Sequence, residues 1–102
     1  MNKIMLCCSA GMSTSMLVKK MISAAEAREL DVEIKAFGAA EFDQVVQDYQ
    51  VVLLGPQVKY MLSDLKQRAS QYDIPVEAIN ITDYGMQRGD NVLDFALSLI
   101  NA

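Results

Sequence analysis

The chain has 102 residues, 52% of them hydrophobic, enough for one domain spanning 1–102 that folds without staples or metal. Its 13 acidic and 9 basic residues are scattered and give a net charge of −4, which argues against a nucleic-acid partner. It has no histidine, which excludes a Cys–His catalytic pair, a His-ligated metal site and an internal phosphohistidine, and its two cysteines are adjacent, which excludes a Cys-x-x-Cys site.

Hydrophobic period gives a strand at residues 3–7, then a helix over about 13–30. In that helix Leu17, Met21, Ala24 and Ala25 share the inner face, while Lys19, Lys20, Ser23 and Glu26 face water. Residues 32–36 read as a second strand. Phe42, Val45, Val46 and Tyr49 recur at helical spacing, and the unbroken run Val51-Val52-Leu53-Leu54 suits a central parallel strand covered on both faces. Pro56 fits the first turn of a third helix carrying Val58, Met61, Leu62, Leu65 and Ala69. A fourth strand at 76–79, a loop at 82–89 and a last helix through Val92, Leu93, Ala96, Leu97 and Ile100 follow, with Asp90 or Asn91 expected as its N-cap. The apolar runs are strand-sized and a strand begins within three residues, so neither a signal peptide nor a membrane span is expected, and the chain is expected to be cytoplasmic.

Alternating strands and helices imply a parallel sheet with right-handed crossovers. The expected fold class is α/β: a small doubly wound four-stranded parallel sheet in the order 2-1-3-4, flavodoxin-like, with helices on both faces. The chain then changes direction between strands 1 and 3, whose C-terminal ends flank the crevice and bring Cys8 opposite Gly55-Pro56-Gln57.

The segment Cys8-Ser9-Ala10-Gly11-Met12-Ser13-Thr14-Ser15 joins the first strand to the first helix. Inward-pointing loop amides and a helix N-terminus make such a segment an anion cradle without a basic side chain. The same field favours thiolate over thiol, so Cys8 is expected to be a nucleophile. An isolated cysteine is ordinarily a small buried hydrophobe. Six of the seven residues after Cys8 are Ser, Thr, Ala or Gly, too small to bury it. Cys7 points to the opposite sheet face and packs there, with no disulfide between the two. Ser13, Thr14 and Ser15 suit helix capping and phosphate contact equally, and Gly11 suits a tight turn or a close backbone approach. Gln57 either reaches the crevice or is solvated, and Lys59 sits in solvent. For Tyr84 a hydrogen bond near the loop, a partner contact and plain packing all stay open.

A cysteine opening a phosphate loop also resembles the low-molecular-weight tyrosine phosphatases: Cys, five residues, Arg, then Ser or Thr. Here Thr14 stands where that arginine would be. Without this bidentate clamp the loop is expected to hold a phosphocysteine without hastening its hydrolysis. The first segment, Leu53-Leu54-Gly55-Pro56-Gln57-Val58-Lys59-Tyr60-Met61 and Tyr84-Gly85 together resemble the enzyme IIB component of the bacterial sugar phosphotransferase system, lactose/cellobiose type, over essentially the whole chain. Standing alone, the chain looks closer to the cellobiose or diacetylchitobiose branch.

That resemblance implies a cytoplasmic phosphocarrier with no cofactor and no metal. Cys8 takes a phosphoryl group from a phosphohistidine of enzyme IIA, residues 9–15 form the binding loop, and the group passes to a sugar at the membrane component, enzyme IIC. A β-linked disaccharide is the family expectation for the sugar. Met12, Val58 and Tyr60 are a candidate docking rim for IIA and IIC, and no unassigned apolar helix face remains, so a monomer is expected. The main rival is a hydrolase of the phosphatase type with Cys8 as nucleophile and Asp83 as general acid. A nucleotide- or flavin-binding module lacks its motif here, since the loop has a single glycine and no lysine.

Overall fold

The computed structural model describes residues 2–9 and 14–101. Its strands are β1 (Asn2–Cys8), β2 (Val32–Gly38), β3 (Val51–Leu54) and β4 (Val76–Ala78). They form one sheet in the order β2-β1-β3-β4, and each neighbouring pair is parallel. The expected order therefore holds. In the register Cys7 lies beside Leu54 of β3 and Cys8 beside Gly38 of β2.

The two-residue period of β1 divides the core. Ile4 and Leu6 pack with Leu17 and Met21 of α1 (Ser15–Ala27) and with Val92, Leu93 and Ala96 of α5 (Gly89–Ile100). Met5 and Cys7 pack on the other face with Phe42 of α2 (Phe42–Val45) and with Leu65 and Ala69 of α3 (Leu62–Ser70). All four residues of β3 are fully buried, as an unbroken apolar run covered on both faces should be. No described helix is long and apolar enough to cross a membrane.

Five local features differ from the sequence reading. The first helix stops at Ala27, three residues early, because Glu29 turns left-handed at φ 55° and Leu30 N–H reaches back to the Ala25 carbonyl. This is a Schellman ending with glutamate where glycine is usual. The helix expected around Phe42–Tyr49 is a single α-turn between 3-10 turns at Ala39–Glu41 and Val46–Asp48. The third helix likewise opens with a 3-10 stretch, Pro56–Met61.

The expected loop at 82–89 holds a short helix, α4 (Ile81–Gly85), because the Asn80 side chain accepts from the N–H groups of Thr82 and Asp83. Finally, α5 starts at Gly89 with Arg88 at its N-cap position and no side-chain cap, so neither Asp90 nor Asn91 caps it. The Asp90 carboxylate takes the N–H of Asn91 instead.

Candidate active site

Cys8 is the last residue of β1 and belongs to neither core cluster. Its position parity puts it on the face of α1, the helix that follows it. Thr14 lies just before that helix, fully buried, and its Oγ1 donates to Cys8 Sγ at 3.7 Å. Thr14 occupies the N-cap position of α1 yet makes no side-chain cap, so its hydroxyl serves the sulfur. The first turn of α1 carries no acidic residue, so the positive end of the helix dipole beside Cys8 is not neutralised there.

The expectation that Cys8 stays uncovered is corrected: it is 0% exposed. Small neighbours do not guarantee access. The Thr14 hydroxyl reaches the sulfur, and Cys8 stands beside Gly38 in the strand register. Ser9 and Ser15 are exposed. The candidate loop residues Ala10, Gly11, Met12 and Ser13 lie outside the described residues.

Cys7, also 0% exposed, packs in the opposite cluster as expected, and no disulfide joins the pair. Burial pushes its thiol up from 9.0 to about 11, and the charges on Cys8 and then Glu41 add to the effect. Two sequence neighbours thus receive opposite environments. The inner thiol is held neutral, while the terminal one meets a hydroxyl donor and a helix N-terminus.

The end of β3 closes the crevice from the other side. Gly55 N–H donates to the Cys7 carbonyl at 2.8 Å, which anchors the turn to the strand that carries Cys8. Over that glycine, Gln57 Nε2 donates to the Tyr84 hydroxyl at 3.0 Å. A side chain at Gly55 would meet both: an ideal Cβ would lie 2.7 Å from Gln57 Oε1 and 3.5 Å from Tyr84 Cε2. The two expected crevice residues are therefore brought together beside the end of β1. Sequence reasoning did not anticipate their mutual bond, nor Gly38, whose only signal was a glycine ending the second apolar run.

Asp83 lies elsewhere. Its carboxylate accepts from Asn91 Nδ2 at 3.2 Å and lines a hollow with Ile79, Asn80, Val92 and Phe95 that includes neither Cys8 nor Thr14. The docking rim is also revised, because Val58 is 1% exposed and belongs to the core, while Tyr60 is 83% exposed and Lys59 is at the surface. A broad hollow lined by Tyr49, Lys66, Tyr72 and Pro75 lies at the N-terminal ends of β3 and β4, away from Cys8.

Residues 3–95 match the family described as the PTS system, lactose/cellobiose-specific IIB subunit. The chain is 42% identical over 100 residues to the oligo-beta-mannoside-specific EIIB component of Bacillus subtilis, covering 98% of this chain and 97% of that one. It is 43% identical over 103 residues to the cellobiose-specific EIIB component of Lactococcus lactis subsp. lactis, covering 96% and 95%. Among solved structures it resembles the cellobiose-specific IIB component of Borrelia burgdorferi, with a TM-score of 0.83, 37% identity and coverage of 98% and 92%. It also matches 16% of the length of the lactose-specific EIICB component of Staphylococcus haemolyticus, at 30% identity. The chain belongs to the lactose/cellobiose-specific IIB family of the sugar phosphotransferase system.

Proposed function

We propose that this IIB subunit carries a phosphoryl group on Cys8, taken from a phosphohistidine of enzyme IIA and delivered to a sugar held by enzyme IIC. In the first step the N–P bond of phosphoimidazole breaks as an S–P bond forms, and the imidazole nitrogen keeps the electron pair. In the second the S–P bond breaks toward a sugar hydroxyl, and the thiolate returns. The observation that carries this reading is the Thr14 hydroxyl on Cys8 Sγ at the N-terminus of α1. It is a hydrogen-bond donor at the position where the phosphatase pattern has a guanidinium.

Such a site stabilises a thiolate before transfer and accepts roughly −1.5 to −2 of added charge afterwards. Ser9, Ser15 and the amides of residues 10–13 complete the cradle in this reading, and Gln57 with Tyr84 forms its far wall. Because Cys8 is buried at rest, transfer includes a step that uncovers the sulfur. The protein works at the cytoplasmic side as a monomer. The names of the mannoside and cellobiose relatives favour a β-linked sugar, and a relative named as a joined EIICB component supports IIC as the partner.

The hydrolase reading has less behind it, because the Asp83 carboxylate is engaged by Asn91. In the test, the protein is incubated with the general phosphotransferase proteins, phosphoenolpyruvate and the IIA of the same system. Mass spectrometry should find one phosphoryl group, which cannot be a phosphohistidine in a chain without histidine, and aryl phosphate turnover should be negligible. Labelling of Cys8→Ser equal to the parent would overturn the assignment.

A further inference from the structure

Tyr84 and Gln57 come from different elements, α4 and the turn after β3, and meet beside the peptide that joins Cys7 to Cys8. An ideal Cβ on Gly55 marks a point 2.7 Å from Gln57 Oε1, 3.5 Å from Tyr84 Cε2 and 3.6 Å from the Cys7 carbonyl oxygen. The missing side chain of Gly55 leaves the space that the pair fills. Tyr84 packs against the core cluster of Ile4, Leu6 and Leu17, on the α1 side of the sheet. That is also the side Cys8 takes by strand parity.

The bond between the two has a direction. Gln57 Nε2 donates and the Tyr84 hydroxyl oxygen accepts, at 3.0 Å. A phenol hydroxyl carries one proton, so with Gln57 as donor that proton is directed away from Gln57. Accepting a hydrogen bond also makes the hydroxyl a better donor, because successive bonds in a chain polarise one another.

Two carboxylates lie at this end of the sheet. Glu41 follows β2, where its charge bears on Cys7, and Asp83 precedes Tyr84 in α4. The Asp83 carboxylate is turned onto Asn91, so the group that α4 sets beside Gln57 is a neutral hydroxyl. A phosphoryl group on Cys8 adds roughly −1.5 to −2 of charge near those carboxylates, and it calls for uncharged donors aimed at its oxygens.

We propose that Tyr84 is a catalytic residue of phosphoryl transfer, its hydroxyl donating to an oxygen of the phosphoryl group on Cys8, and that Gln57 is the positioning residue that sets the direction of that hydroxyl. This rests on the phosphocarrier reading above and adds to it one donor and the partner that orients it. No proton changes hands. The S–P bond forms and breaks as already described, and the hydrogen bond strengthens as charge collects on the oxygen.

The test compares the parent with Tyr84→Phe, Gln57→Leu, the double variant and Tyr72→Phe, each shown to be folded by its melting curve. Tyr72 lines the hollow at the opposite end of the sheet and serves as control. Single-turnover rates of transfer from phosphorylated IIA are measured, and the isolated phosphoproteins are then titrated by phosphorus NMR. Tyr84→Phe should accept the phosphoryl group at least ~10-fold more slowly. It should also raise the second pKa of the phosphocysteine by about 0.5 or more, because a donor favours the dianion. Gln57→Leu should move both readings the same way by less, about 3-fold in rate, and the double variant should match Tyr84→Phe because Gln57 acts only through the hydroxyl. Tyr72→Phe should stay within about twofold of the parent.

A parent that takes no phosphoryl group overturns the carrier reading and this proposal together. A parent that is phosphorylated while Tyr84→Phe keeps its rate and its titration leaves the carrier standing and overturns the donor. A slower rate with an unchanged titration assigns Tyr84 to contact with IIA instead, since the titration is made on the isolated protein. Losses that add in the double variant make Gln57 a direct contact of the phosphoryl group. Either result defeats the relay from Gln57 through Tyr84.

Discussion

Replacing Gly89 by alanine should loosen the packing that sets α1 beside Cys8. Gly89 opens α5 where it crosses α1, and an added Cβ would lie 2.5 Å from the Lys20 carbonyl carbon and 2.6 Å from the Met21 nitrogen. Ordinary contact begins near 3.4 Å, so the helices must part by about 1 Å or the start of α5 must unwind. Because the obstacle is backbone, rotamer changes cannot absorb it, and a cost of ~2–3 kcal/mol is expected, toward the upper end of the overpacking range. For a domain of this size that is a fall in Tm of about 10–20 °C.

The internal control is Gly85→Ala at the end of α4, where the added Cβ meets nothing within 4 Å. That variant should stay within about 1 kcal/mol of the parent, on the stabilising side. Both are read by thermal unfolding and urea titration. Since α1 brings Thr14 to the sulfur, Gly89→Ala should also speed alkylation of Cys8 below its melting range. A Gly89→Ala protein that melts within about 3 °C of the parent would refute the close helix contact.

Three further outcomes follow from the site. The folded protein holds the Cys7 proton more tightly than the unfolded chain does, with the thiol raised from 9.0 to about 11. Its contribution is therefore complete below pH 9 and is lost as pH climbs toward 11, by up to about 3 kcal/mol. Urea titrations across that window should show a shallower decline for Cys7→Ala, and identical slopes would contradict the burial of the thiol. Gly55→Ala and Tyr84→Phe both break the Gln57–Tyr84 bond, so each should cost about 1 kcal/mol or less, and the double variant should cost clearly less than their sum. Strict additivity in chemical denaturation would mean that the bond does not hold the two elements together. Iodoacetamide should modify Cys8 in preference to Cys7 at neutral pH, yet more slowly than an exposed thiol such as glutathione; preferential labelling of Cys7 would reverse the roles given to the two sulfurs.

The strand order and the central position of β3 were legible because four consecutive apolar residues have few other uses in a chain this short. The parity of Cys7 and Cys8 followed from the two-residue period alone. What stayed hidden depends on particular side chains meeting backbone or each other. Glu29 adopts a left-handed conformation more often filled by glycine, so nothing in the helical pattern announced the stop after Ala27. Asn80 caps α4 from a stretch whose polar composition reads as loop. The bond between Gln57 and Tyr84 joins residues 27 apart, and each alone had several equally ordinary roles. The burial of Cys8 was missed for the same reason: the contact of the Thr14 hydroxyl with the sulfur joins residues six apart and has no signature in residue size.

Cys8 is the terminal residue of an interior strand bonded on both sides, to β2 and to β3. Amides inside such a strand exchange with solvent only through large-scale opening, and Cys8 is joined directly to that strand, with Gly38 of β2 as its own partner. If Cys8 carries the phosphoryl group as proposed, a sulfur fixed in this way has little freedom to lean toward the donor. On that proposal alignment falls to the incoming phosphoryl donor, whose errors of approach would not be made up by travel of the thiol.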